Sequence, residues 1–189
     1  MRTAGFVLVG GRSARMGKDK ALLPWRSGTL VEHVAAKVRE CTGNVVLIGK
    51  SACYGLVSLD CLSDLRAGLG PLAGIETSLA SGRGELNLIL ACDLPFIEAE
   101  WLKVLLHTAN DHGSRCVVAA DESGRVHPLC AVYRSDCLPV VRSALDAGRL
   151  KLMEIIQELD AEHVQIPAPI WNVNTPEEWQ LCQELAIGR

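Results

Sequence analysis

The sequence predicts an α/β domain in which helices cover a mostly parallel central sheet that contains an antiparallel strand. Three observations predict it. Short runs at Ala4–Val9 and Val45–Ile48, apolar throughout, and at Leu86–Ala91, apolar but for Asn87, read as strands buried on both faces. Stretches with apolar residues at helical spacing separate these runs, an order that calls for parallel strands joined by right-handed crossovers. Arg115–Ala120 and Val126–Arg134 flank the turn Asp121-Glu122-Ser123-Gly124, so the second run returns antiparallel to the first. No internal repeat, linker or low-complexity tract interrupts the 189 residues, which make one domain, 1–189, with room for a substantial core.

Each element has a local reason. The run Ala4–Val9 leads into Gly10-Gly11, where the missing Cβ lets the chain turn sharply. Thr29-Leu30-Val31-Glu32 is a capping box, and Leu30, Val34, Val38 and Cys41 recur on one helical face until Thr42-Gly43-Asn44. Val45–Ile48 is the second strand, and Leu56–Leu59 reads as a third, short one. Pro71 suits the first turn of a helix through Leu79. Leu86–Ala91 is the central strand, followed by Cys92-Asp93-Leu94-Pro95 and a helix over Glu98–Asn110 with Trp101, Leu102, Leu105 and Leu106 inward. Helices follow at Ser135–Ala147 and Leu152–Leu159, then a short strand at Val164–Ile166. Thr175-Pro176-Glu177-Glu178 opens the last helix, with Thr175 as its cap.

Composition excludes several classes. With 49% hydrophobic and 22% charged residues the chain reads as soluble and globular. No apolar run approaches the roughly 20 residues of a membrane span. The first apolar run is too short for a signal peptide, so a cytoplasmic location and no membrane partner are expected. A net charge of −3, with only two Phe and two Tyr, disfavours nucleic acid. The eight cysteines contain no C-x-x-C pair and read as reduced, small hydrophobes.

Against this acidic background, residues 1–20 carry Arg2, Arg12, Arg15, Lys18 and Lys20 with Asp19 alone opposing them, a net +4. A compact basic patch beside a glycine turn suits a polyphosphate, although a solvated loop after an ordinary strand end has the same composition. It is neither a P-loop nor a dinucleotide fingerprint, because the glycine spacing fits neither. Asp93 follows the central strand, where ligands of open parallel sheets bind. A carboxylate opposite Lys20 would supply the hard oxygen that Mg²⁺ requires. Asn172 and Asn174, alternate along an extended segment, would present both amides on one face.

The run Leu8-Val9-Gly10-Gly11-Arg12-Ser13-Ala14-Arg15-Met16-Gly17-Lys18-Asp19-Lys20-Ala21-Leu22-Leu23 resembles the signature of the molybdenum cofactor guanylyltransferases, the MobA family. Val9 departs from the family's usual alanine. Four further blocks match in the family's order: Asp64 with Gly70-Pro71-Leu72-Ala73-Gly74, then Cys92-Asp93-Leu94-Pro95, His127-Pro128-Leu129 through Tyr133-Arg134, and Asn172–Glu178. The resemblance implies a three-layer α/β/α Rossmann-like nucleotidyltransferase fold and transfer of GMP from Mg-GTP to molybdopterin. It places nucleotide binding on Leu8, Val9, Gly10, Gly11, Arg15, Gly17, Lys20, Asp64, Gly70, Pro71, Leu72, Gly74 and Asp93. Arg15, Lys20 and Asp93 take catalytic roles, with Mg²⁺ on Asp93. The acceptor falls to His127, Asn172 and Asn174. Arg149 and Lys151, cations at the entry of the Leu152–Leu159 helix, are read from the sequence itself as further candidates for its phosphate, although exposed cations are common there. GTP and molybdopterin are the implied partners, and beyond them other cofactor-biosynthesis proteins and acceptor molybdoenzymes.

Two other functions fit parts of the pattern. A cytidylyltransferase of the same fold, acting on molybdopterin or on a sugar or polyol phosphate, would share Arg15, Lys20 and Asp93. The resemblance favours guanine through Gly11 and the Gly70–Gly74 block. A nucleotide-binding regulatory module would have no need of Arg15, Lys20 and Asp93 together.

Overall fold

A computed structural model gives the fold and describes residues 1–10, 19–49 and 59–187. In chain order its elements are β1 (Thr3–Leu8), β2 (Pro24–Trp25), β3 (Gly28–Thr29), α1 (Leu30–Thr42), β4 (Val46–Ile48) and β5 (Asp60–Leu62). These are followed by α2 (Pro71–Ala80), β6 (Leu86–Ala91), α3 (Ala99–Asp111), β7 (Cys116–Ala120) and β8 (Val126–Arg134). The chain ends with α4 (Leu138–Asp146), α5 (Leu152–Glu158), β9 (Glu162–Gln165) and α6 (Pro176–Ile187). Seven strands form one sheet in the order β5-β4-β1-β6-β8-β7-β9, while β2 and β3 make a small separate hairpin.

The pairing of β1 with β4 and β6, of β4 with β5, and of β7 with β9 is parallel. β8 runs antiparallel to both its neighbours, as the hairpin reading requires. Its register sets Leu90 opposite Cys130 and Leu86 opposite Arg134, so β8 begins at the edge where β6 ends. Asp93, Asp121 and His127 therefore share the edge at the carboxyl ends of the parallel strands. That is the edge where an open α/β sheet takes its ligands.

The apolar runs are explained by two cores. Val7, Leu47, Leu88, Leu90, Val117 and Val132 face α1, α3 and α6. Phe6, Leu8, Val46, Ile48, Ile89, Val118 and Tyr133 face α2, α4 and α5. Alternate residues of each strand are thus buried on opposite faces, the three-layer arrangement. Thr29 and Glu32 cap α1 reciprocally, and Gly43 closes it in the left-handed conformation.

Several boundaries differ from the sequence reading. Residues 56–58 of the third strand expected at Leu56–Leu59 lie outside the described residues, and β5 runs Asp60–Leu62. The helix expected from Ser135 starts as a 3₁₀ turn, Ser135–Cys137. The α-helix begins at Leu138, with Pro139 in its first turn, where a missing N–H costs nothing. Trp101 is half-buried, packed against the core instead of within it. The segment carrying Asn172 and Asn174 joins no strand; Val173 N–H donates instead to the Asp93 carbonyl at 3.0 Å. The described cysteines are free, and burial pushes the Cys92 and Cys130 thiols up to about 12. At that value they stay protonated and behave as small hydrophobes.

Candidate active site

The site is assembled from three distant segments. Lys20 opens a 3₁₀ turn, Lys20–Leu22, which is capped by the Asp19 side chain accepting from Ala21 N–H at 3.0 Å. Asp93 stands two residues beyond β6, whose end is extended by Cys92 N–H donating to the Leu8 carbonyl at 3.1 Å. The third segment, 172–174, leads into α6. Here Thr175 Oγ accepts from Glu178 N–H, and the Glu178 carboxylate accepts from Asn174 N–H and Thr175 N–H.

The polar atoms of these segments converge. Lys20 Nζ donates to Asp93 Oδ2 at 2.6 Å, to the Val173 carbonyl at 3.2 Å and to Asn174 Oδ1 at 3.2 Å. Asn172 Nδ2 donates to the other carboxylate oxygen, Asp93 Oδ1, at 3.2 Å. The chemistry fixes both amide orientations: a carboxylate only accepts and an ammonium only donates. Asn172 must then present its NH₂ to Asp93 and Asn174 its oxygen to Lys20. This leaves Asn172 Oδ1 and Asn174 Nδ2 for other partners. The side chains of Lys20 and Asp93 are 17% and 12% exposed, largely desolvated yet open to a ligand.

An aromatic cluster ties the same three segments together beneath the polar groups. Trp25, just after the Lys20 turn, meets Phe96, three residues past Asp93, with ring centroids 5.6 Å apart. It meets Trp179, on the first turns of α6, at 5.4 Å. All three rings are buried. Such pairs add about 0.5–1.5 kcal/mol each beyond their area, so the convergence of Lys20, Asp93 and Asn172/Asn174 is imposed by packing as well as by charge.

The sequence model of the MobA-like NTP transferase domain matches residues 5–164. The chain belongs to the MobA-like NTP transferase family. A protein of Flavobacterium johnsoniae named "Probable molybdenum cofactor guanylyltransferase" is 32% identical over 176 residues, 93% of this chain and 88% of that one. A Carboxydothermus hydrogenoformans protein of the same name is 32% identical over 183 residues, 92% of this chain and 91% of its own. Among solved structures, molybdopterin-guanine dinucleotide biosynthesis protein A of Archaeoglobus fulgidus superimposes with a TM-score of 0.85 at 21% identity. That match covers 98% of this chain and all of the other. This MobA-like chain is a nucleotidyltransferase of Rossmann-like fold, and no helix among its described residues is long and apolar enough to cross a membrane.

The other expected site residues of the MobA-like domain are placed as follows. Gly11, Arg15 and Gly17 lie outside the described residues. Gly10 follows β1 with φ +100°, a conformation that favours glycine, and is exposed. Val9 and Leu72 are buried, so their backbones are what they can offer a ligand. Gly70, at φ +71°, precedes Pro71 at the start of α2, which no side chain caps. A Cβ at Gly74 would press on the Leu8 side chain at 3.0 Å, so this glycine sets the approach of α2 to β1. Asp64 is half-buried, and desolvation raises its carboxyl above the usual range. Arg149 pairs with Glu158 at 2.7 Å, and Lys151, largely exposed, pairs with Glu154 at 3.0 Å. Neither has a described contact with the Lys20–Asp93 cluster.

His127 is buried, its Nε2 3.0 Å from Asp121 Oδ2. The other Asp121 oxygen accepts from Ser123 Oγ, Ser123 N–H and Arg125 N–H. The Ser123 hydroxyl, then His127, hold this carboxyl well below the usual range.

Two networks escaped the sequence reading. Asp121 lies six residues before His127, and the hairpin turn between them was the available signal. The buried Glu76 on α2 lies 3.1 Å from Arg66 Nε and accepts from Arg142 Nε at 3.4 Å; Arg66 also reaches Asp146. Arg66 sits at ion-pair distance from Glu76 Oε2, which has no well-aligned hydrogen-bond donor. With Leu65 N–H donating to Thr77 Oγ1 at 3.0 Å, this pins residues 65–66 against α2. A lone carboxylate in the otherwise uncharged run Pro71–Ala80 was the signal, since a buried charge needs a cation.

Proposed function

We propose that this chain transfers GMP from Mg-GTP to molybdopterin, releasing pyrophosphate and forming molybdopterin guanine dinucleotide. The observation that carries the reading is the meeting of Lys20 and Asp93 at the sheet edge, fastened by Asn172, Val173 and Asn174. The relatives' printed name and the order of the five matched blocks supply the substrates.

In this reaction a phosphate oxygen of the acceptor bonds to the α-phosphorus of GTP while the bond from that phosphorus to the bridging oxygen of pyrophosphate breaks. The nucleophile is already ionised near neutral pH, so the protein's task is to position the reactants and neutralise their charge. Arg15 and Lys20 hold the phosphates and offset charge growing on the leaving pyrophosphate. Gly10, Gly11 and the Gly70–Gly74 block would border the nucleotide, and Asp64 would help to bind it. Asn172 and Asn174 hold Asp93 and Lys20 through one polar atom each and offer the other to the acceptor. His127, Arg149 and Lys151 complete the acceptor side.

The acceptors around Lys20 Nζ are all oxygens: a carboxylate, a backbone carbonyl and an amide. This hard set fits Mg²⁺, which is held by one or two carboxylates together with substrate phosphates. Asp93 would hold it, and the ion would supply Lewis-acid neutralisation of the triphosphate. No group of three His, Cys, Asp or Glu side chains suited to a metal occurs among the described residues, consistent with a metal that shares its ligands with the nucleotide.

The test is turnover of purified protein with GTP labelled at the α-phosphate, Mg²⁺ and molybdopterin. Label in the dinucleotide with equimolar pyrophosphate supports the reading. Label transferred from CTP in preference to GTP would replace it with a cytidylyltransferase, and pyrophosphate release from neither would overturn it.

A further inference from the structure

We propose that Lys20 is an internal cation occupying the seat of the divalent ion, so that the protein alone excludes the metal and accepts it together with a nucleoside triphosphate. The proposal rests on the reading of Asp93 as the metal carboxylate.

The ammonium has three N–H donors, and the three oxygens around it match them: Asp93 Oδ2 at 2.6 Å, Val173 O at 3.2 Å and Asn174 Oδ1 at 3.2 Å. Those are the oxygens a small hard cation would use. The remaining carboxylate oxygen is engaged by Asn172. The carboxylate charge is therefore already balanced at contact distance in a pocket that water reaches only partly. A divalent ion approaching the same oxygens meets an ammonium a few ångströms away, and no group of three or more His, Cys, Asp or Glu side chains suited to a metal stands among the described residues to offset that repulsion. Mg²⁺ gives up its water reluctantly, so one neutralised carboxylate is a poor host.

A triphosphate reverses this balance. Its negative oxygens attract the ammonium on its flexible four-carbon stem and offer the ion additional ligands. As Lys20 turns to the phosphates, Asp93 is released to the metal. Metal and nucleotide affinities are then coupled through the movement of one side chain, and the coupling is reciprocal. The same lysine that binds phosphate would keep the carboxylate from collecting metal unproductively.

The test titrates Mn²⁺ into the purified full chain without nucleotide and follows free Mn²⁺ by electron paramagnetic resonance. Four proteins are compared: parent, Lys20→Met, Lys20→Gln and Lys20→Arg. Removing the charge should tighten Mn²⁺ binding at least about tenfold in the Met and Gln variants, the order expected when a like charge at contact distance is withdrawn. Arg, which keeps the charge, should leave the affinity near the parent's. Adding Asp93→Asn to Lys20→Met should abolish the gain. Melting curves identify any variant that fails to fold, and the Met and Gln substitutions back each other up.

Equal Mn²⁺ affinity in the parent and the uncharged variants overturns the proposal, as does a gain that survives Asp93→Asn. Neither outcome depends on GTP, molybdopterin or product. Failure of guanylyl transfer in the turnover assay is thus a separate result.

Discussion

Asp93→Asn tests the centre of the site, and its effects on folding and on turnover can be separated. The substitution keeps the volume but removes the charge that faces Lys20 Nζ at 2.6 Å. Two unit charges at that distance attract by about 6 kcal/mol at an effective dielectric of 20, before desolvation is subtracted. Lys20 keeps its bonds to Val173 O and Asn174 Oδ1, and its side chain is 17% exposed, so the stranded ammonium is partly compensated. The net loss should approach that of one charge-assisted hydrogen bond, about 2 kcal/mol. For a domain of this size that lowers Tm by about 4–8 °C and leaves the protein folded at 25 °C. Turnover should fall much further. Removing a preorganised charge at the reacting phosphates costs about 3 kcal/mol or more in the transition state, at least about 100-fold in rate. Calorimetry gives the first number, and pyrophosphate release at saturating GTP, Mg²⁺ and acceptor gives the second. A variant with the lowered Tm but the parental rate would make Asp93 a structural residue and refute the mechanism.

Other substitutions probe the surrounding supports. Asn172→Ala removes the donor on Asp93 Oδ1 and should lower kcat about tenfold while KM for GTP stays within about twofold, the signature of a group that positions a catalytic one; an unchanged kcat would contradict that role. Glu76→Gln should release residues 65–66 from α2, raise KM for the nucleotide and cost about 2 kcal/mol in denaturant unfolding, because Arg66 and Arg142 can rehydrate. Asp121→Asn should destabilise by about 2 kcal/mol at pH 7. Because folding lowers the Asp121 carboxyl from its ordinary value of 3.8, its contribution is complete above that pH and is lost as pH falls through the folded value. The stability gap between parent and variant should therefore narrow below about pH 4; a gap that stays constant to pH 2.5 would assign the effect to packing.

The long buried strands and the capping box were legible because they rest on local patterns, whereas the β2–β3 hairpin was not read and β5 and β9 lie a few residues from the strands expected there. Ala4–Val9 is apolar at every position and Leu86–Ala91 at every position but Asn87, and the structure shows the cause: each face of β1 and β6 meets a different core. The turn at 121–124 announced the antiparallel return of β8 through its composition. Longer-range features were not encoded in that way. Asn172 and Asn174 were noticed for their alternation, but the reason for it is a backbone bond between Val173 N–H and the Asp93 carbonyl, which no strand pattern records. Glu76 sat in a segment that read as ordinary helix, and only the crossing of α2 with the Arg66 loop and α4 turns it into a buried junction of charges. Propensity and periodicity report on neighbours in sequence, whereas these contacts depend on the packing of elements onto one another.

The same distinction explains how the proposed catalytic groups can be separated by such long stretches of chain and still meet. Lys20 and Asp93 are 73 residues apart, and Lys20 and Val173 are 153 apart. Short hydrogen bonds alone would be a weak means of closing such loops, since each contributes about 1 kcal/mol net and ordering the chain opposes it. The buried rings of Trp25, Phe96 and Trp179 supply what the polar groups lack, because they belong to the same three segments and bury large apolar surfaces together. The packing holds the segments, and the polar atoms above it need only choose their partners. On the proposed reading, that division would let Lys20 exchange oxygen for phosphate without loosening the fold, a freedom that a site held together by its own ion pair would not have.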